Sequence, residues 1–415
     1  MILTCTYERD YYGLVTKINH PGGRYTRYCY DKLGRVIRTD YYDKTYENFT
    51  YNKNGALIEV ENQYGKVKFE RDSLGRITKE WQGRQFFYDE EGNLAKKIEP
   101  DGGTWTYLYF GNGMLREVTR PDKSCVSFQY GTFGRRIEKS VTSIHSKGVS
   151  EGRQQKVIRF LWNGNNLFHE WEEKCTVGRS KTENKVDFKA DYILKLEKRE
   201  EEKAKKEAGQ GENIPDNLIT WVFQDGFIPR GKITKDGNYS IISDYLGTPV
   251  EAYDEEGKKV WERNLDIYGR VKTEEALGEK NLIPFRFQGQ YEDEETGLYY
   301  NRFRYYSPEE GCYTQQDPIG LAGGNPTLYG YVYDTLCELD PFGLAILFET
   351  GTYGGLNSSV HVGDGLQAHE LIRHKYLVQK KLTSQRVRLS GNPAIALDNV
   401  HHTRVGGAHW WETQI

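Results

Sequence analysis

The sequence predicts a mainly β protein: a long ribbon of paired hairpins forming part of a shell or spiral, then a small α+β C-terminal domain. Three observations predict it. Turn glycines fall at positions 13, 34, 55, 75, 92, 113 and 134, spaced by 21, 21, 20, 17, 21 and 21 residues, and such self-similarity is read before any single residue. The 415 residues include 31 Tyr and 44 Gly but only 2 Met, with a mean hydropathy of −0.77, a balance that suits short twisted strands joined by tight turns. The pattern stops after Leu344, where composition changes abruptly.

Each repeat is an aromatic-rich strand, a turn and a second strand, as in residues 30–36 (YDKLGRV) and 88–94 (YDEEGNL). Residues 72–77 (DSLGRI) and 130–136 (YGTFGRR) are variants. Gly supplies the positive φ of the tight turn, and Asp bonds neighbouring backbone N–H groups. A lone hairpin is marginal, so the units must pair edge to edge. Residues 1–154 form the first stretch of ribbon. Residues 155–219 interrupt it with two strands (157–162 and 167–171) and a charged run, 194–208 (LKLEKREEEKAKKEA), whose alternating Glu and Lys favour a solvated helix inserted between strands. Residues 220–283 resume the ribbon, with turns at 244–247, 253–257 and 266–270.

The totals exclude several function classes. A net charge of −3 gives no whole-chain argument for nucleic-acid or membrane binding. Six scattered cysteines without a C-x-x-C pair indicate neither a disulfide framework nor a zinc site, and read as small strand hydrophobes. The start (MILTCTYERD) lacks an apolar core of signal-peptide length, and no apolar run approaches the ~20 residues of a spanning helix. The chain reads as soluble, with no membrane-spanning segment and exported by another route or within a longer parent.

Residues 284–344 hold two Asp-Pro-x-Gly turns, Asp317-Pro318-Ile319-Gly320 and Asp340-Pro341-Phe342-Gly343, 23 residues apart. One such turn is ordinary: Asp first, Pro fixing φ, Gly closing. Two behind an aromatic run (Tyr299, Tyr300, Phe303, Tyr305, Tyr306) carrying Arg302 and Arg304 are a different matter. Two carboxylates brought close cannot both ionise cheaply, so one keeps a proton while the other activates water. A fixed Arg can orient either or hold a carbonyl oxygen.

The Tyr-Asp turn series over residues 1–344 resembles the YD repeats of the Rhs family, shared with wall-associated, Tc-toxin C-component and teneurin proteins. Those repeats wind a ribbon into a hollow shell. Residues 284–344 resemble the Rhs core, and the resemblance implies that Asp317 and Asp340 cut the chain, helped by Arg304, between Leu344 and Ala345. The pattern departs from the family at Cys312, where Arg is usual, and at 333–338 (YDTLCE), which more often holds another Asp-Pro.

Residues 345–415 would be the variable toxin tip. Six of the nine histidines lie there: His361, His369, His374, His401, His402 and His409. Residues 366–381 (LQAHELIRHKYLVQKK) read as a short helix, on which His369 and His374 would stand about 140° apart and share no metal. A first His, then Asn392 in Asn-x-x-Ile-x-Leu, then a closing His resembles the HNH-type nucleases often found at Rhs tips. There a ββα unit holds one divalent metal that stabilises charge on the cleaved phosphate. The resemblance implies His369 and Asn392 as catalytic residues and His401 or His402, with His409, as ligands of Mg²⁺ or Zn²⁺. Glu370 follows His369 where relatives often have a second His, which leaves base and ligand interchangeable between the two. Gly406 and Gly407 argue against His402 and His409 on one continuous helix. Seven Lys or Arg against five Asp or Glu in the tail make a small excess that phosphate binding would welcome.

The reading is therefore a fragment of a polymorphic toxin: a shell that releases a nuclease by aspartyl self-cleavage, secreted or at the cell surface after synthesis in a bacterial cytoplasm. The expected partners are DNA or RNA, a cognate immunity protein, and a secretion apparatus or parent toxin complex. Two rivals are a non-enzymatic adhesion protein binding carbohydrate through its Tyr-rich repeats, and a toxin tip with another activity.

Overall fold

A computed structural model describes residues 5–144, 153–176, 215–224, 226–278, 280–320 and 327–344, together with three backbone strands in the tail. Twenty-two strands, from β1 (Thr6–Arg9) to β22 (Val271–Ala276), make a single sheet. Each described strand pairs with the next in sequence, always antiparallel. The ribbon does not break at 155–219 as the sequence suggested: β15 (Arg153–Asn163) and β16 (Asn166–Thr176) pair with each other and with their neighbours on both sides. The charged run 194–208 falls between β16 and the next strand, Ile219–Gln224, and lies outside the described residues.

The repeat turn shows why its residues are needed. Asp31 N–H donates to Arg35 O at 2.9 Å, and Gly34 N–H to Asp31 O at 3.1 Å. Asp31 Oδ1 accepts from the N–H groups of Leu33 and Arg35, and Arg35 Nε reaches Asp31 Oδ2 at 2.7 Å. All seven turn glycines named above have φ between 68° and 85°, the left-handed region where a side chain is strained. The Tyr before the turn staples its unit to the one before. Tyr30, Tyr51, Tyr109 and Tyr130 donate their hydroxyls to Val15, Val36, Leu94 and Leu115 carbonyls at 2.7 to 2.9 Å. Tyr88 does the same to Ile77 at 3.0 Å, and where the repeat has Arg71 instead of Tyr, its guanidinium takes the Leu57 carbonyl.

The ribbon curls so that its last strands meet its first: Arg24 Nη2 lies 2.6 Å from Glu262 Oε1, and the Tyr7 and Tyr245 rings are 4.5 Å apart. Against its apolar face packs a four-stranded antiparallel sheet, β23 (Tyr291–Asp293), β24 (Leu298–Asn301), β25 (Arg304–Ser307) and β26 (Cys312–Tyr313). Leu298, Tyr300 and Tyr305 join Val15, Phe49, Leu115 and Phe128 in one core. Residues 284–344 also satisfy carbonyls that the repeat turns leave at one rim. Gly92, Gly113, Phe133, Leu246 and Gly269 accept from Tyr329, Gln315, Arg302, Gln288 and Tyr299. A buried tie, Arg136 to Asp293 at 2.5 Å with Lys139 at 3.1 Å, fixes the inner sheet to the ribbon.

In the tail, β27 (Thr350–Thr352) and β28 (Leu366–Glu370) flank β29 (Pro393–Asp398), both antiparallel to it. This corrects the helix expected over 366–381 for its first five residues. The local propensity of Leu-Gln-Ala-His-Glu yields to pairing with the apolar strand Ala394-Ile395-Ala396-Leu397, the usual override of propensity by tertiary context. The remainder of that stretch lies outside the described residues. Cys29 and Cys337 are exposed, while Cys5, Cys125 and Cys312 are half-buried. Among the described residues no helix is long and apolar enough to cross a membrane.

Candidate active site

The site is built on the hairpin of β24 and β25. Asn301 pairs with Arg304 across a two-residue turn, Arg302-Phe303. Both Asp-Pro-x-Gly segments fold onto it as hydrogen-bonded turns: Gly320 N–H donates to Asp317 O at 2.9 Å and Gly343 N–H to Asp340 O at 3.4 Å. The second turn enters so closely that a Cβ on Gly343 would sit 2.6 Å from Asn301 O, at a φ of +69°. Glycine is therefore required there both for conformation and for space.

The structure brings Arg304, Asp317 and Asp340 together. Arg304 Nη2 lies 3.0 Å from Asp317 Oδ2 and 3.4 Å from Asp340 Oδ2, and its Nε donates to the Gly343 carbonyl. All three side chains are buried. Asp340 Oδ1 accepts the Leu344 N–H at 2.8 Å, so one carboxylate touches the residue whose following bond is the expected cut. Leu344 itself is buried; Ala345 lies outside the described residues.

Two carboxylates share one guanidinium, so one proton neutralises the set. Burial pushes the Asp317 carboxyl up to about 6 against the downward pull of Arg304. Asp340 instead collects donors: the Tyr313 hydroxyl at 2.9 Å, Arg304 and the Leu344 amide. The arrangement suits Asp317 as the acid and Asp340 as the base.

Two residues that sequence reasoning missed complete it. Asn301 Nδ2 donates to Tyr313 Oη at 2.6 Å and to the Asp340 carbonyl at 2.9 Å. With its oxygen so occupied, the Tyr313 proton is directed at Asp340 Oδ2. The Arg304 guanidinium also stacks on the Tyr313 ring at 3.7 Å. Nothing in the linear sequence marks Asn301 or Tyr313 apart from their alternation with core aromatics.

Of the residues expected in the tail, His369 sits in β28 opposite Ile395 of β29. Asn392, next to the start of β29, lies outside the described residues, as do His401, His402 and His409.

With this geometry in view, the teneurin YD-shell family model matches residues 1–146. The double-stranded DNA deaminase toxin A of Burkholderia cenocepacia is 30% identical over 334 residues, 79% of this chain and 21% of its own length. Toxin protein Tse5 of Pseudomonas aeruginosa is 29% identical over 82% of this chain and 25% of its own. A probable deoxyribonuclease, RhsA of Dickeya dadantii, is 29% identical over 65% of this chain and 16% of its own. The chain thus spans about a quarter or less of these relatives. A crystal structure of TcdB2-TccC3-Cdc42 shares the fold, with a TM-score of 0.55 and 16% identity over 83% of this chain and 17% of that one.

Proposed function

Starting from a chain that belongs to the YD-shell proteins of Rhs-type toxins, we propose that residues 284–344 are a self-cleaving joint that cuts after Leu344 and frees residues 345–415 as a toxin tip. The observation that carries this reading is Arg304 bonded to both Asp317 and Asp340 while Asp340 holds the Leu344 amide.

In the step proposed, Asp340 takes a proton from a water whose oxygen adds to the Leu344 carbonyl carbon. Asp317 gives its proton to the Ala345 nitrogen as the C–N bond breaks, leaving a Leu344 carboxylate and a new amino terminus. Arg304 compensates the charge of the dyad and fixes Gly343, so the strand carrying the bond cannot swing away. The joint is tested by sequencing the amino terminus of the small fragment from freshly purified chain. It should begin at Ala345 and vanish in Asp317→Asn; a start elsewhere overturns the assignment.

The tip is proposed as an HNH-like nuclease acting on DNA or RNA. Support comes from the β28–β29 pair, which places His369 on a strand of an antiparallel ββ element, and from relatives with deoxyribonuclease and DNA-deaminase names. The donor set of His401, His402 and His409 fits a divalent ion, better Zn²⁺ than oxygen-seeking Mg²⁺. Such an ion would stabilise charge on the cleaved phosphate, while His369 handles the proton of the attacking water and Asn392 orients it. Purified tail should nick plasmid with metal and lose activity with EDTA or in His401→Ala with His402→Ala. Retained activity in both excludes the metal reading. A cognate immunity protein and delivery by a secretion apparatus, within a longer parent, complete the proposal.

A further inference from the structure

One repeat turn departs from the others in a way that leaves two arginines without an acid. In the turns at 31–35, 72–76 and 266–270 the first residue is Asp and the last is Arg, and the two form an ion pair. At 131–135 the Asp is replaced by Gly131 while Arg135 remains. The turn still closes, with Gly131 N–H donating to Arg135 O at 2.9 Å. Arg135 Nε is buried and has no hydrogen-bond partner.

Beside it lies a second cation in the same condition. Arg302 is 5% exposed and donates from Nη2 to the Phe133 carbonyl of this very turn at 2.8 Å. Its Nε and Nη1 are buried and form no hydrogen bond of good geometry, the Tyr300 hydroxyl being the polar group that acts on the guanidinium. Among the described residues no carboxylate pairs with either arginine, and each guanidinium stands over a neighbouring Phe ring, Phe133 or Phe303, at 5.4 and 5.0 Å. Mutual repulsion adds to burial in lowering the Arg135 pKa, and burial lowers that of Arg302.

An uncompensated buried guanidinium is costly, whereas one that meets an anion is not. Arg302 is moreover held at a φ of +57°, a left-handed conformation that a non-glycine residue adopts only at a cost. Strained residues of this kind persist where their surroundings over-determine them, often at ligand sites. Here three unbonded donor nitrogens, Arg135 Nε and Arg302 Nε and Nη1, belong to two guanidinium groups close enough to repel each other, and a guanidinium fork suits a planar or tetrahedral oxyanion.

We propose that Arg135 and Arg302 form an oxyanion site at the rim where the inner sheet meets the ribbon, taking a carboxylate or a phosphate. The ligand supplies the negative charge that Asp supplies in the sister turns. The site is separate from the self-cleaving dyad, although Arg302 shares its hairpin with Asn301 and Arg304.

The test uses Gly131→Asp, which restores the missing acid. A Cβ at Gly131 meets Ile137 Cγ2 at 3.5 Å, an ordinary contact, and φ there is not positive, so the variant should fold. Full-length chain is titrated with sodium phosphate and, separately, with sodium acetate at constant ionic strength, following Tm. The expected wild-type result is a saturable rise of about 1–2 °C at ten times Kd. It should be absent in Gly131→Asp and in Arg135→Gln, and Gly131→Asp should melt higher than wild type without added anion. Response to phosphate alone identifies a phosphate site; an equal response to acetate identifies a carboxylate site, such as an acidic side chain of a partner or cargo. No saturable rise with either anion, or the same rise in both variants, overturns the proposal.

Discussion

If the repeat tyrosines are staples rather than surface decoration, removing one hydroxyl should cost more than its size suggests. Tyr109 Oη donates to the Leu94 carbonyl at 2.9 Å, and burial raises its phenol well above the ordinary value. Tyr109→Phe keeps the ring and leaves that carbonyl short of a donor. The net loss for a buried acceptor left unpaired is about 1–3 kcal/mol, and we expect about 1.5 kcal/mol here because the ring packing is unchanged. Tyr64, 87% exposed, gives the control: Tyr64→Phe should change stability by less than about 0.5 kcal/mol. The assay is urea unfolding followed by tryptophan fluorescence, comparing midpoints at unchanged slope. The same loss should recur in Tyr51→Phe and Tyr130→Phe. A Tyr109→Phe midpoint no different from that of Tyr64→Phe would refute the staple argument.

The other predictions bear on the site and on pH. Tyr313→Phe removes the donor at 2.9 Å to Asp340, so self-cleavage should slow while the folded yield stays level. An unchanged cleavage half-life removes Tyr313 as a positioning residue. Gly343→Ala puts a Cβ 2.6 Å from Asn301 O and should slow cleavage at least tenfold, read from the half-life on a gel; wild-type kinetics would show the turn to be slack. Burial raises the Asp244 carboxyl to about 6, above its unfolded value. The sign follows: its contribution is fully present below about pH 4 and is lost as pH rises through about 6. Asp244→Asn should therefore flatten that part of the wild-type stability curve between pH 4 and 7, and superimposable curves would contradict it.

Much of the ribbon was legible because each turn repeats the same chemistry: Gly34 and Gly134 must be glycine-like in φ, and Asp31 must bond its own turn. The dyad was legible for a related reason, since Asp317 and Asp340 open two turns of identical pattern. Asn301 and Tyr313 were not, because their roles depend on which face of the inner sheet meets the second turn, a tertiary fact. The continuity of the ribbon through β15 and β16 was hidden because those strands lack the Tyr-Asp turn that signals the rest. The strand at Leu366–Glu370 is not legible in the sequence for the converse reason: its residues have helical propensity, and only the partner at Pro393–Asp398 makes it extended. The glycine at 131 stands in the sequence as a variant of the turn, but the approach of Arg302 to that turn is a tertiary fact.

The central claim is that Asp317, Asp340 and Arg304 cut this chain after Leu344. Intact mass of the purified 48.1 kDa chain, taken under denaturing conditions beside Asp340→Asn, tests it most directly. The account predicts two masses from the wild type, matching residues 1–344 and 345–415, and one intact mass from the variant. A single intact mass from both, or the same two masses from both, would contradict it.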